Sequence, residues 1–235
     1  MLNLQSKRMI MDLLEAIKAR HSVRNYIDRP LEAEKVDALQ TSIAKINSAT
    51  GLNVQLVLEE PKAFDGLFIS TYGQFSGVRN YIVMAGPKGR DAEEAVGYHG
   101  EALVLLAQTL GLNTCWVGLT YKKIPGVFAL RPGDVVHCVI SLGYGSTPGV
   151  QHPIKPLENF YEATDPVPAW FLAGVEAARL APTAINQQKF KFILHPGALV
   201  EARAMFSMVG YTLIDLGIAK YHFELAAGKD IFTWK

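Results

Sequence analysis

The chain has 235 residues, 49% of them hydrophobic and 19% charged, with a formal net charge of +1. That length and apolar content allow a sizeable core in one large domain or two small ones, and the balanced charge excludes an electrostatic nucleic-acid binder or a charged, unstructured tail. Two cysteines, Cys115 and Cys138, exclude a disulfide framework, show no metal-ligand spacing, and fit a reduced cytoplasmic setting.

Residues 1–10 lack the apolar run of a secretory signal. Met11 to Ala19 reads as a short amphipathic helix, with Leu13, Leu14 and Ile17 at helical spacing. Arg20-His21-Ser22-Val23-Arg24-Asn25-Tyr26 follows. In an extended chain, residues two apart share a face at roughly 6.6 Å. Arg20, Ser22 and Arg24 therefore share one face, and two guanidinium forks flanking a hydroxyl suit a phosphate dianion. A solvated edge strand would show the same alternation. Glu32 to Ser48 is predicted helical, with Ala33, Val36, Leu39, Ile43 and Ile46 at spacings of three and four, and Gly51 ends it. Val54 to Leu58 alternates as a strand, Pro61 to Gly77 is loop-like, and Tyr81 to Ala85 is a short apolar strand.

Tyr98 to Leu110 is the most apolar helix, with Leu103, Val104, Leu105, Leu106, Ala107 and Leu110 around most of its circumference, so burial between layers is expected. Its apolar run is too short to span a bilayer. Gly111 is placed to end it. Next come Asn113-Thr114-Cys115-Trp116-Val117-Gly118, an expected small helix near Lys122 to Phe128, and a strand from Val135 to Ser141. Gly145 to Pro168 reads as a long arm across one domain, since Ile154, Leu157, Phe160 and Tyr161 would be wasted on a free linker. Ala169 to Leu180 is predicted helical. Pro182 breaks it, Phe190 to Leu194 is a strand, Ala198 to Phe206 a short helix, Tyr211 to Ala227 a long helix, and Asp230 to Lys235 a last short strand.

Val96-Gly97-Tyr98 and Val209-Gly210-Tyr211 each open a buried-looking helix with an acid near its start, Glu101 and Asp215. Upstream of each lies a helix followed by a strand. This suggests a weak two-copy repeat, which chance similarity between amphipathic helices would also produce. The copies are unequal. Only the first carries Arg20 to Arg24 and Cys115 to Gly118; only the second carries Pro182-Thr183-Ala184-Ile185-Asn186-Gln187-Gln188. The Thr183 hydroxyl, the Asn186 amide and the backbone N–H groups of that loop can meet a polyhydroxyl or ring-amide ligand, although Pro, Thr and Asn are also ordinary loop residues.

Together, Arg20-His21-Ser22-Val23-Arg24, Leu110-Gly111-Leu112-Asn113-Thr114-Cys115-Trp116-Val117-Gly118, Leu142-Gly143-Tyr144 and Pro182 to Gln188 resemble the motifs of the FMN-dependent nitroreductase family. The order differs from a typical member, whose Pro-Ser-x-x-Asn loop comes soon after the phosphate segment and is supplied by the partner subunit of a homodimer. The chain resembles the divergent two-half subfamily first seen in Thermotoga, in which that dimer is compressed into one polypeptide. The resemblance implies an α+β fold: a three-layer sandwich with a mainly antiparallel central sheet and an internal pseudo-dimer of unequal halves. It implies one domain over 1–235, with halves of about 1–165 and 166–235 sharing a core. It implies FMN as cofactor and NAD(P)H as electron donor, with two electrons passed to a small acceptor such as a nitroaromatic or quinone. A flavin carrier or sensor without turnover is the alternative.

By the same resemblance Arg20, Ser22 and Arg24 hold the phosphate, with Lys155 as a further candidate, and His21 contributes backbone. Pro182, Thr183, Ala184 and Asn186 contact the ring and ribityl edge, and the backbone of Trp116, Val117 and Gly118 lies near the flavin's reactive side. No catalytic acid, nucleophile or metal is implied. The expected partners are small molecules only, with neither nucleic acid nor membrane, and a monomer able to hold FMN, free to dimerise further. His99, His137, His152, His195 and His222 form no constellation in the sequence and are expected to be structural.

Overall fold

Two four-stranded sheets organise the chain. The computed structural model describes residues 13–65, 74–164 and 166–235, and these divide into two units by their contacts.

One unit holds Arg20–Ala92 and Leu103–Gln151. Its sheet runs β1 (Gln55–Val57), β2 (Asn80–Pro87), β4 (Asp134–Gly143), β3 (Asn113–Val117), with every neighbour antiparallel. β2 is buried from Asn80 through Gly86, as its unbroken Tyr-Ile-Val-Met-Ala run demands of a strand covered on both faces. Cys115 stands opposite Ser141, and Trp116 opposite Ile140. Helix α2 (Ala33–Thr50) buries Leu39, Ile43 and Ile46 and ends at Gly51, whose φ of 70° closes the helix in the left-handed form that glycine adopts without penalty. Part of the Pro61-to-Gly77 loop, including Gly66 and Gly73, lies outside the described residues.

The other unit holds residues up to Ala19, Glu93–Ala102 and His152–Lys235. Its described N-terminal part is helix α1, residues 13–19; Met11 lies outside the described residues. Helix α3 (Arg90–Thr109) gives its middle turns to this unit and its residues from Leu103 onward to the first. Leu103, Val104, Leu105 and Ala107 are wholly buried, whereas Leu106 keeps partial exposure. Helix α5 (Thr212–Ala227) packs on a sheet ordered β5 (Tyr161–Glu162), β6 (Phe190–His195), β7 (Leu199–Ala204), β8 (Thr233–Trp234), and helix α4 (Ala169–Ala178) packs on α5. β6 and β7 form an antiparallel hairpin, and the short outer strands pair parallel. The core is aromatic: Phe192 stacks on Phe223 with ring centroids 4.6 Å apart, and Phe171 and Phe232 meet Phe223 edge-on.

Two glycines set the approach of α3 and α5. A Cβ on Gly97 would lie 2.0 Å from the Ile214 carbonyl oxygen, and one on Gly217 would lie 2.0 Å from the Glu94 carbonyl oxygen. The helices touch backbone to backbone, which only glycine permits.

Two local expectations are corrected, and one unassigned stretch is resolved. The expected helix at Ala198 to Phe206 is strand β7, because Val200, Ala202 and Ala204 alternate with Glu201 and Arg203 in a hairpin with β6. Lys122 to Phe128 forms turns, not a helix. Asn113 to Val117 is a strand on the edge of its sheet. In element order the chain runs α2-β1-β2-α3 and, later, α4-β6-β7-α5. The two Val-Gly-Tyr triplets are not equivalent positions, since Gly97 lies inside α3 while Gly210 precedes α5 with φ 78°.

Candidate functional site

The Arg20-to-Tyr26 segment is extended and lies against the open edge of β3. Ser22 bridges Thr114 in parallel, with the Val23 N–H donating to the Thr114 carbonyl at 3.0 Å. Further along, the Tyr26 N–H donates to Ser76 O at 2.9 Å and the Ile27 N–H to Tyr144 O at 2.9 Å. Val23 and Tyr26 turn into the core, and the Tyr26 hydroxyl lies 2.8 Å from both the Val23 carbonyl oxygen and Ser141 Oγ. Arg20, Ser22 and Arg24 all act on one buried thiol. Burial pushes the Cys115 thiol up, while the Arg24 charge, a hydrogen bond from Ser22 and the Arg20 charge pull it back. Arg20 is only 3% exposed. His21 is held below the ordinary imidazole range by burial and by the neighbouring Arg20 charge.

A strap after β4 crosses this segment. A Cβ on Gly145 would lie 2.9 Å from Val23 Cγ1, and one on Gly149 would lie 2.9 Å from the His21 Cβ. The Leu142-Gly143-Tyr144 motif serves the same segment: a Cβ at Gly143 would meet the Tyr26 ring at 3.0 Å. Tyr144 itself bonds Lys35 at 2.9 Å and Glu32, and Arg29 lies 4.1 Å above its ring. Because Thr114 turns its carbonyl outward to Val23, the pleat directs the backbone of Trp116 away from β4 too, toward the outer edge of the sheet.

The Pro182-to-Gln188 loop lies in the other unit. A short 3₁₀ turn, Ala184–Asn186, bends it, and Ile185, Asn186 and Gln188 all take positive φ, at 46°, 57° and 50°. Its polar side chains are tied to their own surroundings. The Asn186 Nδ2 donates to Pro153 O at 2.9 Å, and its Oδ1 accepts from Gln188 Nε2 at 2.8 Å. Thr183 Oγ1 accepts from the Gln188 N–H at 3.0 Å. Lys155 belongs here: its ammonium donates to the Gln187 carbonyl at 2.7 Å, and its N–H to Gln188 Oε1 at 3.0 Å. Burial, with help from the Lys189 charge, lowers its pKa. Pro182 is buried, Thr183, Ala184 and Asn186 are half-buried, and Ile185 is exposed.

Sequence reasoning missed the group beneath this loop. Asp215, in the first turns of α5, accepts the Ala184 N–H at 3.0 Å and Gln187 Nε2–H at 2.6 Å. Burial raises its carboxyl from 3.8 to about 7, against the pull of those two hydrogen bonds. Between these values the folded protein holds a proton that the unfolded chain has released. Asp215 therefore favours folding less and less as pH rises from 3.8 through about 7. A helical acid amid Leu213, Ile214 and Leu216 was the available signal, because only a tertiary partner explains it there. His222 and Glu101, both wholly buried, form a second hidden pair at 2.9 Å. His222 Nδ1 lies 3.1 Å from the Ala177 carbonyl, an acceptor only, so Nδ1–H donates there.

The family model described as "Putative TM nitroreductase" matches residues 12–227. The chain belongs to this nitroreductase family. A "putative nitroreductase" of Thermotoga maritima is similar in structure, at 25% identity and TM-score 0.69 over 93% of this chain and 84% of that one. A "putative nitroreductase" of Desulfovibrio desulfuricans, solved in complex with FMN, shares the fold at 21% identity and TM-score 0.50, over 66% of this chain and 98% of that one. The "hypothetical oxidoreductase" YcnD of Bacillus subtilis does so at 14% identity and TM-score 0.50, over 63% and 71%. No curated protein matches the sequence. The expected nitroreductase-like α+β fold is thus borne out. Among the described residues, no helix is long and apolar enough to cross a membrane, and no group of three or more His, Cys, Asp or Glu side chains is placed to hold a metal ion.

Proposed function

We propose that this member of the nitroreductase family is an FMN-dependent oxidoreductase that takes two electrons from NAD(P)H and passes them to a small acceptor such as a nitroaromatic or a quinone. What supports the reading is that Arg20, Ser22 and Arg24 all act on the same Cys115 thiol, beside a strap whose Gly149 leaves no room for a side chain. Two cations and a hydroxyl so placed fit a phosphate monoester. FMN, when bound, supplies reversible two-electron chemistry. The chain's own residues bind and orient. Arg20, Ser22 and Arg24 take the phosphate, and His21 contributes its backbone. Trp116, Val117 and Gly118 offer backbone groups to the ring, and Pro182, Thr183, Ala184 and Asn186 shape its surroundings. Lys155, bonded to the Gln187 carbonyl, is assigned to bracing that loop, not to the phosphate. No side chain is assigned as acid, base or nucleophile.

Arg24→Ala is expected to purify folded and to bind FMN about ten- to a hundredfold more weakly, the cost of roughly 1.5–3 kcal/mol for losing one charged hydrogen-bonding partner. Fluorescence titration with FMN measures it, and unchanged affinity would remove the phosphate assignment. Anaerobic addition of NADH or NADPH is then expected to bleach the flavin absorbance; a spectrum that stays yellow with both would make the protein a carrier or sensor.

Each motif occurs once in the chain, so one FMN per chain is expected, retained on dilution to the monomer. Flavin stoichiometry measured beside light-scattering mass across a dilution series tests this. Two FMN per chain, or loss of flavin with dissociation, would refute the reading of the chain as a dimer compressed into one polypeptide.

A further inference from the structure

The Pro182-to-Gln188 loop holds three non-glycine residues with positive φ, one of them the β-branched Ile185 at 46°. For a β-branched residue this is a true outlier, and such strain persists only where the surroundings over-determine it. The strongest of those surroundings is Asp215. It is 2% exposed, and its two oxygens accept from Ala184 N–H at 3.0 Å and Gln187 Nε2 at 2.6 Å. The same Gln187 amide donates to Gly210 O at 3.0 Å, just ahead of α5. Its other end, Oε1, is buried and has no hydrogen-bond partner.

That last detail gives the site two hydrogen-bonded arrangements. With Asp215 ionised, the Gln187 Nε2 end faces the carboxylate and also ties Gly210. With Asp215 protonated, its O–H is a donor and needs an acceptor. Reversal of the Gln187 amide supplies Oε1 and gives up the bond to Gly210. We infer that Asp215 is a positioning residue for this loop, its ionised carboxylate holding Ala184 and Gln187 in the form that receives the flavin. The inference rests on the FMN reading above.

The charged groups on neighbouring elements do not compete for this role. On α3, Glu94 pairs with Lys220 and Glu101 with His222; Tyr98 of the same helix bonds Glu224. On α4, Glu176 pairs with Arg179. Lys155 is bonded to Gln187 O, and Lys189 acts on Lys155. The causes that move Asp215 are burial, then the Ala184 and Gln187 hydrogen bonds, with no charge among them.

Asp215→Asn keeps the shape and an acceptor for the Ala184 N–H but cannot titrate. The test is FMN titration of wild type and Asp215→Asn from below to above neutral pH, with hydrogen-exchange protection of the Ala184-to-Gln188 amides measured without flavin. The wild-type affinity is expected to fall by up to roughly tenfold per pH unit below the titration of the carboxyl. The loop's protection should fall in the same range. Asp215→Asn should show only the dependence that the FMN phosphate itself contributes, which both proteins share, so the difference between the two curves isolates Asp215. Superimposable curves with equal protection would overturn the inference. If neither protein binds FMN at any pH, the flavin reading fails by itself. PH-dependent protection that Asp215→Asn abolishes would then still establish the hold on the loop, and its absence would end that too.

Discussion

Gly217→Ala is expected to abolish the folded state of the α3–α5 unit. The added Cβ would sit 2.0 Å from the Glu94 carbonyl oxygen and 2.7 Å from the Tyr98 nitrogen. Both are backbone atoms, so no rotamer change relieves the clash. The helices would have to separate, opening the packing around Ile214, Leu216 and Ile218, each 5% exposed or less. Overpacking against a flexible neighbour costs about 1–3 kcal/mol; against two backbones the cost should exceed about 4 kcal/mol, a large part of the stability of an ordinary domain. Gly97→Ala meets the Ile214 carbonyl oxygen at the same 2.0 Å and should behave alike. Soluble yield and thermal unfolding measure it. A Gly217→Ala protein melting with wild type would mean the two helices do not approach this closely.

The Glu101–His222 pair should give the second large effect. Both side chains are wholly buried, and the imidazole is bonded at each nitrogen, to Glu101 and to the Ala177 carbonyl. Taking away one member strands a buried polar or charged group, at about 3–5 kcal/mol, whereas replacing both by apolar residues is often neutral. Glu101→Leu and His222→Leu are each expected to lose stability on that scale, and the double variant to recover most of the loss. Urea unfolding of the four proteins forms the cycle. Additive losses would show that the two side chains contribute independently.

The sequence carried the parts of this fold that depend on local pattern. α2, with Leu39, Ile43 and Ile46 on one stripe, and β2, with its unbroken apolar run, are where periodicity puts them. β7 was misread because Glu201, Ala202, Arg203 and Ala204 favour helices when alone; the hairpin with β6 overrides that preference. The spacing of Arg20, Ser22 and Arg24 is a strand pattern, but the segment pairs through isolated bridges at Ser22, Asn25 and Tyr26, and Tyr26, of the same parity as the arginines, turns into the core. Asp215 and the Glu101–His222 pair were not legible as sites. Their roles rest on partners 31 and 121 positions away, a relation no local spacing encodes. Val-Gly-Tyr misled in a further way: identical triplets fell inside one helix and ahead of another, so a shared string did not mean a shared place.

The position of the Arg20-to-Tyr26 segment also bears on the order in which this protein folds. Ser22 bridges Thr114, and Tyr26 bridges Gly145, so a stretch near the start of the chain waits for segments made roughly 90 to 120 residues later. Loops that long close slowly, because their entropy is lost before any contact compensates it. The strap carrying Gly145 and Gly149 leaves β4, which must itself pair before the strap can lie over Val23 and His21. The arginine face is therefore among the last surfaces of its unit to form. On the proposed FMN reading, a phosphate ligand should recognise finished molecules and pass over collapsed intermediates, and added early in refolding it should leave the rate unchanged while raising the final yield.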